Sequence, residues 1–277
     1  MTSEHQIVQA EKGHRFIALH ERPGAFIIPN PWDRGTARIL ARTGFEALAT
    51  TSAGFAFSTA RGDYAPGRDR VLAHAADIVS ATDLPVSADL ENGFGDDPET
   101  VAETIRLAAS TGLVGGSIED FTGRTQDPIY EIKFAAERIR AAAAAVAALP
   151  FPFLLTARAE NLIRGRPDLD DTIRRLQAYQ EAGANVLYAP GLSRREDIAA
   201  VVRAVERPVN VVIGLGGFRL SLAELSELGV KRASLGSGLA RVAFGAVLRA
   251  AVELKERGTF TAVEQAPTMR EMNSFFE

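Results

Sequence analysis

The stretch SADLENGFG (residues 87–95) sets two acids, Asp89 and Glu91, at the end of the apolar run LPVSAD. Strand side chains alternate with period two, so both carboxylates would leave such a strand on one side. Two like charges held together are costly unless a cation lies against them or water surrounds them. A third acid, Glu119, closes the run GGSIE. Three hard oxygen donors at the ends of neighbouring runs suit Mg²⁺, which takes few carboxylates directly, keeps several waters and leaves positions for substrate oxygens. Solvated rim acids are the alternative reading.

Arg158 ends the apolar run FLLTAR, where a buried guanidinium needs an anionic partner. A substrate carboxylate held bidentately would serve, and so would a structural pair with Glu160 or Glu119. Thr51, Ser52 and Ala53, in TTSAG, offer hydroxyls and closely approachable N–H groups suited to a carboxylate or an oxyanion, although a plain tight turn accounts for them equally. GLGG and LGSG are phosphate-cradle patterns of a weak kind, since glycine turns also serve close packing. The four histidines, His5, His14, His20 and His74, lie away from the run ends, which argues against a histidine base and a histidine-ligated zinc. Trp32 reads as a packing residue.

The elements that must position these groups follow a regular order. Short strand-like runs cover 25–29, 46–50, 85–89, 114–120, 153–158, 185–190, 208–214 and 232–236, and amphipathic helical patterns separate them. Several of those patterns close on glycine, at Gly44, Gly112, Gly183 and Gly229. Eight strand–helix units in a chain of 277 residues predict a (β/α)8 TIM barrel as one domain with a C-terminal helical extension. The competing doubly wound sheet would carry a glycine-rich phosphate turn after its first strand, where this chain reads NPWDRG. In a barrel the chemistry sits at the C-terminal strand ends, and Asp89, Glu91, Glu119 and Arg158 all fall there.

Composition narrows the function classes. The chain is 46% hydrophobic and 24% charged with a net charge of −4, so neither nucleic acid nor an anionic membrane is an expected partner. Cysteine is absent, which excludes disulfides, thiolate metal sites and cysteine catalysis. The segment MTSEHQIVQAEKGH carries no apolar leader and no run reaches membrane-spanning length, so a cytoplasmic location is expected.

Four segments, FIIPNPWDRGTARILARTGFEALATTSAG, SADLENGFGD, GGSIED and LLTARAE, together resemble the isocitrate lyase/phosphoenolpyruvate mutase superfamily. The resemblance runs from about residue 15 to 257. It implies a (β/α)8 barrel whose last helix is exchanged between subunits, usually in a dimer of dimers, hence a homotetramer. It also implies Mg²⁺, with Mn²⁺ as a substitute, and small 2-oxo acid or dicarboxylate substrates. Carried over by position, Asp89 would be the direct metal ligand, with Glu91 and Glu119 holding its waters. Arg158 would clamp the substrate carboxylate together with Thr51, Ser52 and Ala53, and Asn210 would be a further substrate contact. Asp63, in STARGDYAPG, matches the acid of a mobile loop after strand two, although Gly62 stands where the family usually has proline.

The departures matter as much. The cleaving lyases of the family carry a lysine–lysine–cysteine–glycine stretch after the strand-four acid, whereas this chain reads FTGRTQDPIYEIK. The mutase asparagine on that loop is not visible either. The leading expectation is an Mg²⁺-dependent enzyme of decarboxylase, hydrolase or lyase type that breaks a C–C or C–P bond beside a 2-oxo acid through an enolate. Phosphomutase-type phosphoryl transfer on phosphoenolpyruvate or phosphonopyruvate is the first alternative, and a non-catalytic 2-oxo acid binding protein is the second. Segments 58–69 and 121–131, glycine-containing and weakly anchored, are expected to move.

Overall fold

The computed structural model describes residues 4–215 and 218–277. Its eight strands are β1 (Phe26–Ile28), β2 (Leu48–Ala49), β3 (Val86–Asp89), β4 (Gly115–Glu119), β5 (Leu154–Arg158), β6 (Val186–Tyr188), β7 (Val209–Val212) and β8 (Arg232–Ser234). Each falls inside one of the eight apolar runs of the sequence. All ladders are parallel, in the order β1-β8-β7-β6-β5-β4-β3-β2. Between β1 and β2 the link is a single bond from Ala49 N to Pro29 O, 3.0 Å, which nearly closes the ring. The architecture is the (β/α)8 barrel expected from the sequence.

Helix α1 (Glu4–Glu21) precedes the barrel, and α2 (Arg34–Arg42) follows β1. Helices α3 (Ser52–Ser58) and α4 (Arg68–Ser80) follow β2. Then come α5 (Pro98–Ser110), α6 (Ile132–Ala147), α7 (Leu169–Glu181), α8 (Arg195–Ala204) and α9 (Leu222–Glu227), each returning the chain to the next strand. Their starts follow capping chemistry: Asp33 forms a capping box with Thr36, and Asp97 accepts from Thr100 N with Pro98 in the first turn. The segment after β8 forms α10 (Gly238–Arg257), α11 (Thr261–Glu264) and α12 (Met269–Ser274).

The main apolar core lies between the sheet and the outer helices, with Leu90, Ile105, Ile118, Leu155, Leu176, Leu187 and Val211 buried in it. A smaller cluster, Phe16, Leu19, Phe26, Ile28 and Val114, brings α1 against the barrel. The glycine pair of β4 is a packing requirement. A Cβ on Gly115 would come within 2.9 Å of the Phe16 ring and 3.1 Å of Leu154 O, and one on Gly116 within 2.7 Å of Leu90 Cδ1.

The barrel interior departs from the usual aliphatic filling. Ser87, Asp89, Ser117, Arg158, Tyr188, Asn210, Arg232 and Ser234 line a cavity of about 60 Å³ together with Ile28, Ala49 and Thr50. Two arginines facing one small cavity make it a polar site and not a packed core.

Candidate functional site

The cavity opens toward the C-terminal strand ends, where the acids converge. Arg158 is the hub. Its Nη1 donates to Asp89 Oδ1 at 2.9 Å, and its Nε and Nη2 donate to Glu160 Oε1 at 3.1 and 2.8 Å. Glu119 Oε2 stands 3.0 Å from Nη2, without the alignment of a hydrogen bond. The guanidinium also lies 5.0 Å from the centre of the Tyr188 ring. Burial opposes the Arg158 charge, and Glu119, Glu160 and Asp89 outweigh it. Of the two partner types open in the sequence, the protein's own carboxylates occupy this arginine, and a substrate carboxylate would join or displace them.

Asp89 ends β3 with both oxygens engaged. Oδ1 accepts from Arg158 and from Glu91 N at 3.2 Å, while Oδ2 accepts from Ser52 Oγ at 2.9 Å and Ser52 N at 3.3 Å. Glu91 lies beyond the strand end in a left-handed conformation, φ +49°, so a turn and not strand alternation sets its direction. Arg138 of α6 holds that turn in place. It donates to Gly95 O at 2.7 Å, Asp96 O at 2.9 Å and Glu119 O at 3.2 Å, and also to Asn92 O. A non-glycine residue kept at positive φ by so many bonds marks a site whose geometry is imposed.

Glu91 is buried and its Oε1 has no hydrogen-bond partner. Burial, then Asp89 and Asp63, push its carboxyl up to about 8. Glu119 is also buried, and its carboxyl is driven well above the usual range by burial, with Glu160 and Asp89 adding to the shift and Arg158 opposing it. Asp63 is exposed by surface area, yet it reaches the crowded mouth, where desolvation and then Asp89 raise its carboxyl and Ser52 hydrogen-bonds it. These acids therefore lack positive charge. A hard divalent cation fits that deficit and the all-oxygen donor set. Among the described residues no group of three His, Asp or Glu side chains is arranged to hold a metal ion, so a cation here would have to rest on one or two carboxylates and its own waters.

The sequence-derived residues meet here with some redistribution. Thr51 caps α3, its Oγ1 accepting from Gly54 N at 3.2 Å, and Ser52 binds Asp89. Ala53 sits in the first turn of α3 and donates no side-chain group. Asn210 points into the cavity from β7 and donates to Ser234 Oγ at 3.0 Å. LGSG lies at the β8–α10 junction, where Asn30 Oδ1 accepts from Leu235 N and Gly236 N at 2.8 and 3.0 Å. Gly216 and Gly217 of GLGG fall outside the described residues.

Sequence reasoning missed three groups. Tyr64, from the 58–69 segment, donates to Glu119 Oε1 at 2.6 Å and accepts from Arg164 Nη2 at 2.5 Å. Its ring meets Phe121 edge-on at 5.1 Å, and Arg164 lies 3.7 Å from the Phe121 ring centre. This loop therefore has an aromatic anchor over the acids. Tyr188 and Arg232 line the cavity from β6 and β8. A period-two count back from the strand exits, Tyr188 in YAP and Arg232 opposite Asn210, was the available signal. Residues 121–131 send no side chain into the cavity.

Comparison with known proteins agrees with this geometry. The phosphoenolpyruvate phosphomutase family profile matches residues 16–255. The chain belongs to the isocitrate lyase/phosphoenolpyruvate mutase superfamily. A crystal structure from Burkholderia cenocepacia J2315, described only at the level of a lyase/mutase, shares 63% identity with a TM-score of 0.95, covering 97% of this chain and 96% of that one. The structure of 2,3-dimethylmalate lyase shares 25% identity with a TM-score of 0.85 over 96% of this chain and 95% of that one. The probable 2-methylisocitrate lyase 1 of Corynebacterium glutamicum is 28% identical over 253 residues, 88% of this chain and 82% of its own length.

Proposed function

We propose that the protein is an Mg²⁺-dependent lyase-type enzyme that breaks a C–C bond beside the carbonyl of a small 2-oxo acid or dicarboxylate, by decarboxylation, hydrolysis or retro-aldol cleavage. The observation that carries this reading is the acid cluster at the mouth of a polar barrel cavity, where Glu91 and Glu119 are buried beside Asp89 and each keeps an oxygen without a hydrogen-bond partner. The named relatives that cleave 2-methylisocitrate and 2,3-dimethylmalate support the same class. Asp89 would hold the metal directly, with Glu91 and Glu119 fixing its waters. The cation supplies Lewis-acid stabilisation of the negative charge that develops on a 2-oxo oxygen when the bond breaks.

The remaining work falls to the chain. Ser52 and the first turn of α3 orient a carboxylate, and Arg158, already surrounded by carboxylates, positions the acids against it. With no cysteine available, Tyr188 is the most acidic of the neutral hydroxyl-bearing residues that line the cavity. Burial raises its pKa, so it stays protonated at neutral pH and has a proton to give to a strongly basic carbanion. Tyr64 closes the mouth and excludes water from the carbanionic product.

A panel of 2-oxo acids and 2- or 3-hydroxy dicarboxylates, followed by NMR with and without Mg²⁺, tests the reading. Metal-dependent carbon–carbon cleavage of one member is expected. Release of inorganic phosphate or a phosphonate rearrangement would shift the assignment to phosphoryl transfer. Tight binding with no turnover of any member would shift it to a binding protein.

A further inference from the structure

The cavity holds two arginines with opposite surroundings. Arg158 faces three carboxylates within 3.0 Å. Arg232, 6% exposed at the start of β8, has no carboxylate within ion-pair distance among the described residues. Its contacts are all neutral: Nε donates to Asn210 Oδ1 at 2.8 Å, Nη2 to Thr156 Oγ1 at 3.1 Å, and Nη1 faces His20 Nε2 at 3.4 Å. His20 is itself locked neutral, because Nδ1 bonds Phe16 O at 2.8 Å and burial, with Arg232, lowers its pKa to about 3. Burial lowers Arg232 only to about 10, so the guanidinium keeps its charge at neutral pH.

A buried, unpaired cation is expensive, and a fold that keeps one has an anion to set against it. Two of the five guanidinium N–H groups remain after these three neutral contacts. Asp89, Glu119 and Glu160 gather at Arg158 and no carboxylate among the described residues reaches Arg232, so the anion must come from outside. We propose that Arg232, with Asn210 and Ser234, forms a carboxylate-binding subsite in the barrel interior, so that the enzyme selects dicarboxylates over monocarboxylic 2-oxo acids. The inference rests on reading the cavity as the substrate site. One end of that cavity carries Arg158 and the acids that would hold the cation, and the other carries Arg232, so a substrate with two carboxylates would meet positive charge at each end. Arg232 also fixes the Asn210 amide, whose Nδ2 bonds Ser234 Oγ, so the donors at this end are preset.

The test is calorimetric titration, in Mg²⁺ buffer, of malonate, succinate and pyruvate into wild type, Arg232→Met and Arg232→Lys. The dissociation constant of the better dicarboxylate should rise roughly 10- to 100-fold in Arg232→Met, with a smaller loss in Arg232→Lys, because a charge-assisted bidentate contact is removed. Pyruvate affinity should change less than about threefold. Equal losses for pyruvate and the dicarboxylates would make Arg232 a structural brace, and unchanged dicarboxylate affinity would make it a bystander. Either result overturns the subsite, as does a wild type that binds neither dicarboxylate. Bromide soaked into wild-type crystals covers a variant that does not fold. An anomalous peak at hydrogen-bond distance from Arg232 supports the subsite, and an empty position rejects it. If dicarboxylate binding depends on Arg232 but no substrate of the wider panel turns over, the subsite stands and the lyase reading falls.

Discussion

Asp89 does two jobs that a substitution can separate. It neutralises part of Arg158, and in the proposed function it would take the cation directly. In Asp89→Ala the guanidinium keeps Glu119 and Glu160, and Glu91 and Asp63 lose a repelling neighbour. The fold should therefore survive with a stability change within about 2 kcal/mol, while Mg²⁺-dependent turnover falls at least about 100-fold. Wild-type metal titration and turnover in that variant would remove Asp89 from the metal site. His20 gives a second prediction at this scale. It packs between the rings of Phe16 and Phe26, with Arg232 and Lys231 as its cationic neighbours. Its folded pKa, about 3, lies below the unfolded 6.5, so in that window the unfolded chain binds the extra proton. Its contribution is present above pH 6.5 and is lost as pH falls toward 3. Between pH 7 and pH 4.5 the wild-type Tm should drop roughly 5 °C more than that of His20→Gln, whose amide offers both a donor and an acceptor. Parallel Tm curves for the two proteins would show that His20 does not titrate on unfolding.

At the scale of the elements, the loop between α3 and α4 brings Tyr64 over the acids of the site. Tyr64 stands at φ +63° with its hydroxyl shared between Glu119 and Arg164, so a strained backbone is held by two polar bonds and the Phe121 contact. Tyr64→Phe removes only the hydroxyl. Protease cleavage within 58–69 should then speed up by about 100-fold or more, since two bonds to charged groups are lost and each contributes about 1.5–3 kcal/mol to the closed form. Mg²⁺ with oxalate should restore part of the protection, and identical cleavage of both proteins would mean that Tyr64 is no latch. Asp63→Ala, on the same loop, should lower kcat far more than it weakens Mg²⁺ binding. The strand–helix order and the acids at the exits of β3 and β4 were legible because strand ends are short, bounded by glycine and chemically distinct from the runs before them. Arg232 was not, because it begins RASLG as an ordinary strand-flanking charge, and only pairing with Asn210 across β7 and β8 turns it inward. Tyr64 was hidden for a different reason: a left-handed tyrosine in an exposed loop has no sequence periodicity to reveal its direction. Glu160 and Glu119 were legible as possible partners of Arg158, but the choice between them and a substrate carboxylate was not, because Asp89, Glu119 and Glu160 approach it from three different strand ends.

The whole molecule leaves one surface unfinished. Helix α10 runs 20 residues, and Ala240 is its one buried residue. Val242, Val247 and Leu248 are each at least 65% exposed, and Phe244, Val252 and Leu254 are exposed beside them. Phe260, Val263 and Met269 extend the same apolar character through α11 and α12. Among the described residues no helix is long and apolar enough to cross a membrane, so a bilayer-spanning role does not account for this helix. Burying a valine or leucine side chain contributes about 1.5–3 kcal/mol, so six or more left in water favour association strongly. A second copy of the chain is the occupant that the superfamily resemblance implies, through exchange of this helix between subunits, with a dimer of dimers as the complete assembly. Light scattering at micromolar concentration should give a mass near four chains. The double substitution Val247→Glu and Leu248→Glu puts two charges on the face and should shift the protein to smaller species, with the barrel's circular dichroism unchanged. A monomeric wild type at that concentration would mean that the α10 face is covered in some other way.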